Sequence, residues 1–143
     1  MKNPLGIHYG SFVKDWSENQ LPIISKVKEL GFDVFEFGAP WLVNQSDAGI
    51  AAFRKEAEAN RMQVVLSLGL STAQDISSND PAIRKTGLNF LTKLAKAMPK
   101  VGAKYCSGII HGSWNGKISR YEEKAARWDN SVKTMKEACK VFA

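Results

Sequence analysis

Cysteine and histidine are scarce in this chain, with two of each. Cys106 and Cys139 do not form a CxxC pair, and no HExxH helix, P-loop or Ser-His-Asp order is present. The chemistry that each of those motifs carries is therefore without its signature. Two buried thiols in a reducing cytoplasm is the expectation for Cys106 and Cys139. No run of eighteen apolar residues exists, so no membrane span is expected. The N-terminus "MKNPLGIHYG" lacks the apolar stretch of a secretory signal, which points to a cytoplasmic protein. No low-complexity tract or Pro/Gly-rich boundary interrupts the chain. One domain over 1–143 is expected, since the length suffices for a core.

The charge balance of +6 raises the possibility of nucleic acid or anionic substrates. The basic residues do not cluster, however. Lys26, Lys28, Lys55, Lys85, Lys93, Lys96, Lys133, Lys136 and Lys140 are spread along helical segments among acids, the pattern of a solvated surface. No nucleic-acid partner is expected.

Strand and helix patterns alternate four times. "LGIHYGSF" (5–12) reads as a strand, and "SENQLPIISKVKEL" as a helix with Gly31 as its C-terminal glycine. "FDVFEFG" (32–38) is the second strand. A helix follows with Ser46 as N-cap and Ile50, Phe53 and Ala57 buried. "MQVVLSLG" (62–69) is the third strand. Asp80 and Pro81 open a third helix whose face is Ile83, Gly87, Phe90, Leu94 and Met98. "AKYCSGII" (103–110) is the fourth strand, and the loop "HGSWNGKIS" leads to the last helix. There Tyr121, Ala125, Trp128, Val132, Met135, Cys139 and Phe142 recur at steps of four and three, which predicts a buried stripe with Trp128 in the core.

Four βα units imply an α/β fold with a parallel sheet and right-handed crossovers. A small doubly wound sheet fits, and so does part of a (βα)8 barrel, which takes about 250 residues. "HYGSFVKDW" is not the GxGxxG of a dinucleotide fold, which weakens the first reading. In both, sites lie at the C-terminal ends of the strands. Those ends offer His8, Tyr9 and Ser11 with Trp16, then Glu36 with Trp41, then Ser67 and Leu68, then His111, Ser113 and Trp114. Histidine and carboxylate suit a divalent cation or proton transfer, while each is also a common structural residue. Trp16 and Trp114 in loops suit a flat floor for a sugar ring, with core packing as the alternative.

At these residues the sequence resembles a known family. "GIHYGSFVKDW", "KVKELGFDVFEFGAP", "SLGLSTAQDISSNDPAIRKTG" and "GIIHGSWNGKI" together resemble the N-terminal half of the D-tagatose/D-psicose (D-allulose) 3-epimerases. These ketose 3-epimerases belong to the xylose-isomerase-like barrels. The resemblance implies half of a (βα)8 TIM barrel, with metal-dependent C3 epimerisation of free ketohexoses such as tagatose, psicose and fructose. It also implies a manganese or cobalt cation bound by residues of strands five to eight. On that reading the chain holds no catalytic residue and no metal ligand, and it is a half-barrel with little or no activity of its own. The resemblance assigns substrate contact to His8, where the family has tyrosine, and to Trp16, Leu68, Ile109 and Trp114. It gives Glu36, Ser67 and His111 supporting roles. The expected partners are the ketohexose and either a second copy or the missing C-terminal half. The alternatives are a self-associating half-barrel scaffold and another xylose-isomerase-like sugar isomerase.

Overall fold

A computed structural model describes residues 3–117 and 120–142. The end of the loop "HGSWNGKIS" (118 and 119), positions 1 and 2 and the final alanine lie outside the described residues. Four strands, β1 (Gly6–His8), β2 (Val34–Gly38), β3 (Gln63–Leu70) and β4 (Cys106–Ser113), form one parallel sheet in the order β1-β2-β3-β4. The helices are α1 (Ile23–Glu29), α2 (Ala39–Val43), α3 (Asp47–Ala59), α4 (Pro81–Ala97) and α5 (Tyr121–Phe142). This is the α/β arrangement expected of four consecutive βα units of a TIM barrel. No helix among the described residues is long and apolar enough to cross a membrane.

The chain divides into two compact units. The first comprises Met1–Ser67 with Lys96–Ser107. Its sheet register pairs Phe35 with Val64 and Phe37 with Leu66, which places these four side chains on one face. All four are buried there. Phe53 of α3 packs at 4.4 Å from Phe37, and Trp41 of α2 at 5.0 Å from Phe53. Ser46 caps α3 by accepting from the Gly49 N–H at 3.1 Å, and Ile50, Phe53 and Ala57 are buried as their spacing predicts. Gly31 ends α1 with φ +85°, a conformation that favours glycine. Two boundaries differ most from expectation, and one helix is new. β1 stops at His8 because the His8 ring accepts from the Gly10 N–H and turns the chain into a 3-10 turn. α1 begins only at Ile23, because Gln20 leaves the helix path to bond the end of β2. α2, with Pro40 in its first turn, is an additional helix.

The second unit comprises Leu68–Ala95 with Gly108–Ala143. Asp80 caps α4 by accepting from the Ala82 N–H at 2.8 Å, ahead of Pro81. Gly87 and Leu94 are buried on the predicted face. β4 runs to Ser113, three residues beyond the expected Ile110, and the Trp114 N–H still donates to the Leu70 carbonyl at 2.8 Å.

The main correction concerns α5. Its apolar stripe faces outward. Trp128 is 70% exposed and not core, and Cys139 is exposed and not buried. The inward face carries Arg127, Asn130, Ser131, Thr134 and Ala138, which also recur at helical spacing. Arg127 pairs with the buried Asp75. Asn130 donates to the Ser78 carbonyl at 3.1 Å, and the Ser131 hydroxyl donates to the His111 carbonyl at 2.6 Å. Periodicity reports which residues share a face. Here the direction of that face is set by buried polar groups that find partners on one side only.

Asp75 is 4% exposed. Burial pushes its pKa up. Hydrogen bonds from the Ser77 hydroxyl and N–H, the Arg127 charge and the Ser113 hydroxyl outweigh burial and hold it below the ordinary 3.8. The carboxylate therefore stabilises the fold above the unfolded-state pKa, and that contribution is lost as pH falls through the lower folded-state value. Asp75→Asn is expected to cost about 3 kcal/mol at neutral pH, because it strands a buried guanidinium. Urea unfolding should show the gap to the parent chain narrowing below about pH 4. A gap independent of pH would refute the charged role of Asp75.

Candidate functional site

In the first unit the end of β1 carries an aromatic cluster. The His8 Nδ1 accepts from the Gly10 N–H at 3.0 Å, which fixes the ring as the chain turns. Tyr9 lies 4.5 Å from His8, and Trp16 lies 6.0 Å from His8 and 5.3 Å from Tyr9, edge-on to both. Tyr9 is buried, and burial raises the pKa of its phenol, which keeps it neutral. Trp16 is 66% exposed. The cluster thus has a buried base and an open aromatic face.

Behind it lies a residue that the sequence pattern does not reveal. Gln20 is fully buried, and its Oε1 accepts from the Gly38 N–H at 2.8 Å. Its Nε2 is buried without a partner among the described residues. A Cβ at position 38 would stand 2.9 Å from the Tyr9 hydroxyl and 3.0 Å from Gln20 Nε2, so only glycine fits where β2 ends. A lone glutamine two residues before Pro22 carries no pattern that marks such a role.

On the face opposite the phenylalanines, register places His8 beside Glu36, Glu36 beside Val65, and Gly38 beside Ser67. Glu36 accepts from the Ser107 hydroxyl at 2.8 Å. The bond reaches past β3, since Glu36 lies on β2 and Ser107 on β4. Ser67 is half-buried. Cys106 is half-buried as well; desolvation, then the Glu36 charge, push its thiol up to about 11.

In the second unit the Trp114 side chain lies against the backbone of Gly69, where a Cβ would come within 3.3 Å of it. Its ring is 64% exposed. Ile109 is half-buried, and the exposed His111 contributes its carbonyl to Ser131. Leu68 is 2% exposed, on the same side of β3 as Leu70, and so sits in the core. Gly108, at φ +111°, lets β4 approach the Leu68 carbonyl, which a Cβ would meet at 2.2 Å. Asp75 and Arg127 were not anticipated. The Asp-x-Ser turn of "QDISS" is the local signal for Asp75, while Arg127 has none.

Among the described residues, no group of three or more His, Cys, Asp or Glu side chains is placed to hold a metal ion. Exposed side chains in these regions include the Trp16 indole in the first unit and the Trp114 indole in the second.

Residues 24–143 match the family model described as xylose isomerase-like TIM barrel. The chain is 32% identical over 136 residues to the D-psicose 3-epimerase of Ruminiclostridium cellulolyticum, a match covering 95% of this chain and 46% of the relative. It is also 32% identical over 127 residues to the D-psicose 3-epimerase of Agrobacterium fabrum, covering 89% and 44%. Among solved structures, the D-psicose 3-epimerase with D-tagatose from Clostridium cellulolyticum H10 matches with a TM-score of 0.92 at 31% identity, over 98% of this chain and 48% of that one. The chain spans about half the length of the curated relatives it matches.

The two thiols provide a test of these surroundings. At pH 8 the exposed Cys139 should react with iodoacetamide at least about tenfold faster than Cys106, whose raised pKa leaves little thiolate. Peptide mapping after timed labelling reads the ratio, and equal rates would contradict the enclosed environment of Cys106.

Proposed function

The chain belongs to the xylose isomerase-like TIM barrel family, and we propose on that premise that it forms a substrate-facing wall of a ketose 3-epimerase. The observation that carries this reading is the likeness, along nearly the whole chain, to D-psicose 3-epimerases. The reaction inverts carbon 3 of a free ketohexose such as psicose, tagatose or fructose. It requires removing a proton next to the carbonyl, stabilising the enediolate and returning the proton on the other face.

The residues of this chain suit binding and orientation in that reaction. An exposed indole face accepts the apolar C–H side of a sugar, which is the role of Trp16 and of Trp114. The His8 edge reaches hydroxyls, and its place in a family position held by tyrosine alters contacts to one end of the sugar. Ile109 supplies apolar wall. Leu68 shapes that wall from within the core. Glu36, Ser67 and His111 support the strand ends that carry these groups.

The reaction in this family draws on a divalent cation, manganese or cobalt in this reading, which supplies charge stabilisation at the substrate oxygens. The donor set of the described residues does not fit such a cation, so no step is assigned to one here. Acid, base and metal ligands are assigned to polypeptide beyond these four βα units, and the whole enzyme to the cytoplasm.

Ketohexose C3 epimerisation by the 143-residue chain, with manganese and in a metal-free control, tests this division of labour. The expected result is no turnover in either, together with shifts of the Trp16 and Trp114 indole N–H signals on adding millimolar D-psicose. Trp16→Ala and Trp114→Ala should each remove the corresponding response. Metal-dependent turnover would place the chemistry on this chain. Unmoved indole signals would remove its role as substrate wall.

A further inference from the structure

We infer that the Asn115–Gly116 peptide is a self-modification site, where Asn115 loses its side-chain amide and the backbone is rerouted as isoaspartate, a change that loosens the Asp75–Arg127 pair. The inference goes beyond the proposed reaction and does not depend on it. It rests on one turn in the second unit and on peptide chemistry.

Three observations lead to it. First, Asn115 is the one asparagine in the sequence that precedes a glycine. Every other one is followed by a residue whose side chain crowds the backbone nitrogen or, at Asn3, by Pro4, which has no N–H. Ring closure onto a glycine nitrogen meets no side chain. Second, Asn115 is exposed in a turn. The amide of Asn60 is bonded to Glu56, and that of Asn130 to Ser78 and Asn79, which keeps both from their own backbone. The Gly116 N–H donates to the Ser113 carbonyl at 3.3 Å, beyond the usual length of such a bond. Third, Gly116 cannot be exchanged for a residue that would slow the reaction. A Cβ there would collide with the Ser113 hydroxyl. The Arg127 guanidinium stands beside it, with Nη2 3.6 Å from that Cβ position and Nε buried without a partner among the described residues. A cation next to an amide that must give up its proton favours the anion.

The reaction needs only water and solvent base. Base takes the Gly116 amide proton, and the nitrogen bonds to Asn115 Cγ. The Cγ–Nδ2 bond breaks, and the amide nitrogen takes up a proton and leaves as ammonia. Water then opens the cyclic imide. Attack at the Cγ carbonyl leaves aspartate. Attack at the backbone carbonyl leaves isoaspartate, in which the chain runs through the former side chain. Nothing is oxidised or reduced. The isoaspartate backbone is longer by a methylene, in a turn where Gly116 already lies close against Ser113. The Ser113 hydroxyl donates to Asp75 at 3.1 Å, so displacing Ser113 removes a donor from that carboxylate. The new carboxylate also stands beside Arg127 and competes with Asp75 for it.

The test incubates the 143-residue chain at mildly alkaline pH, folded and in urea, and reads each asparagine by peptide mapping and isoaspartyl methyltransferase labelling. In the folded chain, residue 115 should convert at least about tenfold faster than any other asparagine, since only there is ring closure unhindered. Its folded rate should stay within about tenfold of the unfolded rate, as for an exposed turn that opens at little cost. Asn115→Gln, which would have to close a larger ring, should lose the label. The purified isoaspartate form should unfold at lower urea than Asn115→Asp, which carries the charge without the added methylene. Faster conversion at another asparagine, a folded rate slowed beyond that range, or a label that persists in Asn115→Gln would overturn the modification site. Equal urea midpoints for the isoaspartate form and Asn115→Asp would overturn the loosening of the Asp75–Arg127 pair. No readout involves a sugar, so failure here is distinct from failure of the sugar-binding test.

Discussion

The carboxylate of Asp75 collects the Ser77 N–H and hydroxyl at 2.9 and 2.6 Å, the Ser113 hydroxyl at 3.1 Å and the Arg127 guanidinium. Those donors come from the turn after β3, the end of β4 and α5. One buried charge thus ties together three segments of the second unit that are far apart in sequence. The charge survives burial because its oxygens are surrounded by donors. An ion pair with fewer bonds would cost more in desolvation than it returns. Room for it is made at Gly112, where a Cβ would lie 3.3 Å from the Ser77 hydroxyl. The inward orientation of α5 follows from this arrangement, and so does the outward orientation of its apolar stripe.

The first unit is organised by the two faces of its sheet. Phe35, Phe37, Val64 and Leu66 take one face, and the aromatic rings of α2 and α3 cover β2 there. The other face holds His8, Glu36 and Ser67, polar groups in strands whose backbone is already bonded. The division into an apolar packed face and a more polar face comes from the two-residue period of a strand. Gln20 closes the end of β2 by supplying an acceptor that the sheet does not. Its cost is a buried side-chain amide nitrogen without a partner among the described residues.

Much of this was legible in the sequence, for physical reasons that can be named. Ser46 and Asp80 announced their helices because a capping side chain acts within three residues of itself. Gly31 announced a helix end because its backbone conformation is local too. Ile50 and Phe53 were readable as core because removing large apolar side chains from water drives folding more than any other interaction. Trp128 was misread for the complementary reason. Its spacing is that of a buried stripe, and only the distant Asp75, Ser78 and His111 determine which stripe of α5 turns inward. Of the candidate residues His8 ends its strand, while Glu36, Ser67, Ile109 and His111 lie within theirs. Leu68 was placed against the pleat: it has the parity of Leu66 and Leu70, so it points to the core. Gln20 and Ser107 were invisible, since each acts through one long-range hydrogen bond that leaves no pattern behind.

The short bond from the Gly10 N–H to His8 also determines what the other edge of that ring can offer. In the neutral imidazole, a nitrogen that accepts is unprotonated, so the proton resides on Nε2. The outer edge of His8 is then a donor alone. A hydroxyl side chain, by contrast, can both give and receive a hydrogen bond through one oxygen. The imidazole edge therefore makes a one-way polar contact where a hydroxyl would make a two-way one. A ligand atom facing Nε2 is selected for its lone pair, and a hydroxyl presented there must turn its own hydrogen elsewhere.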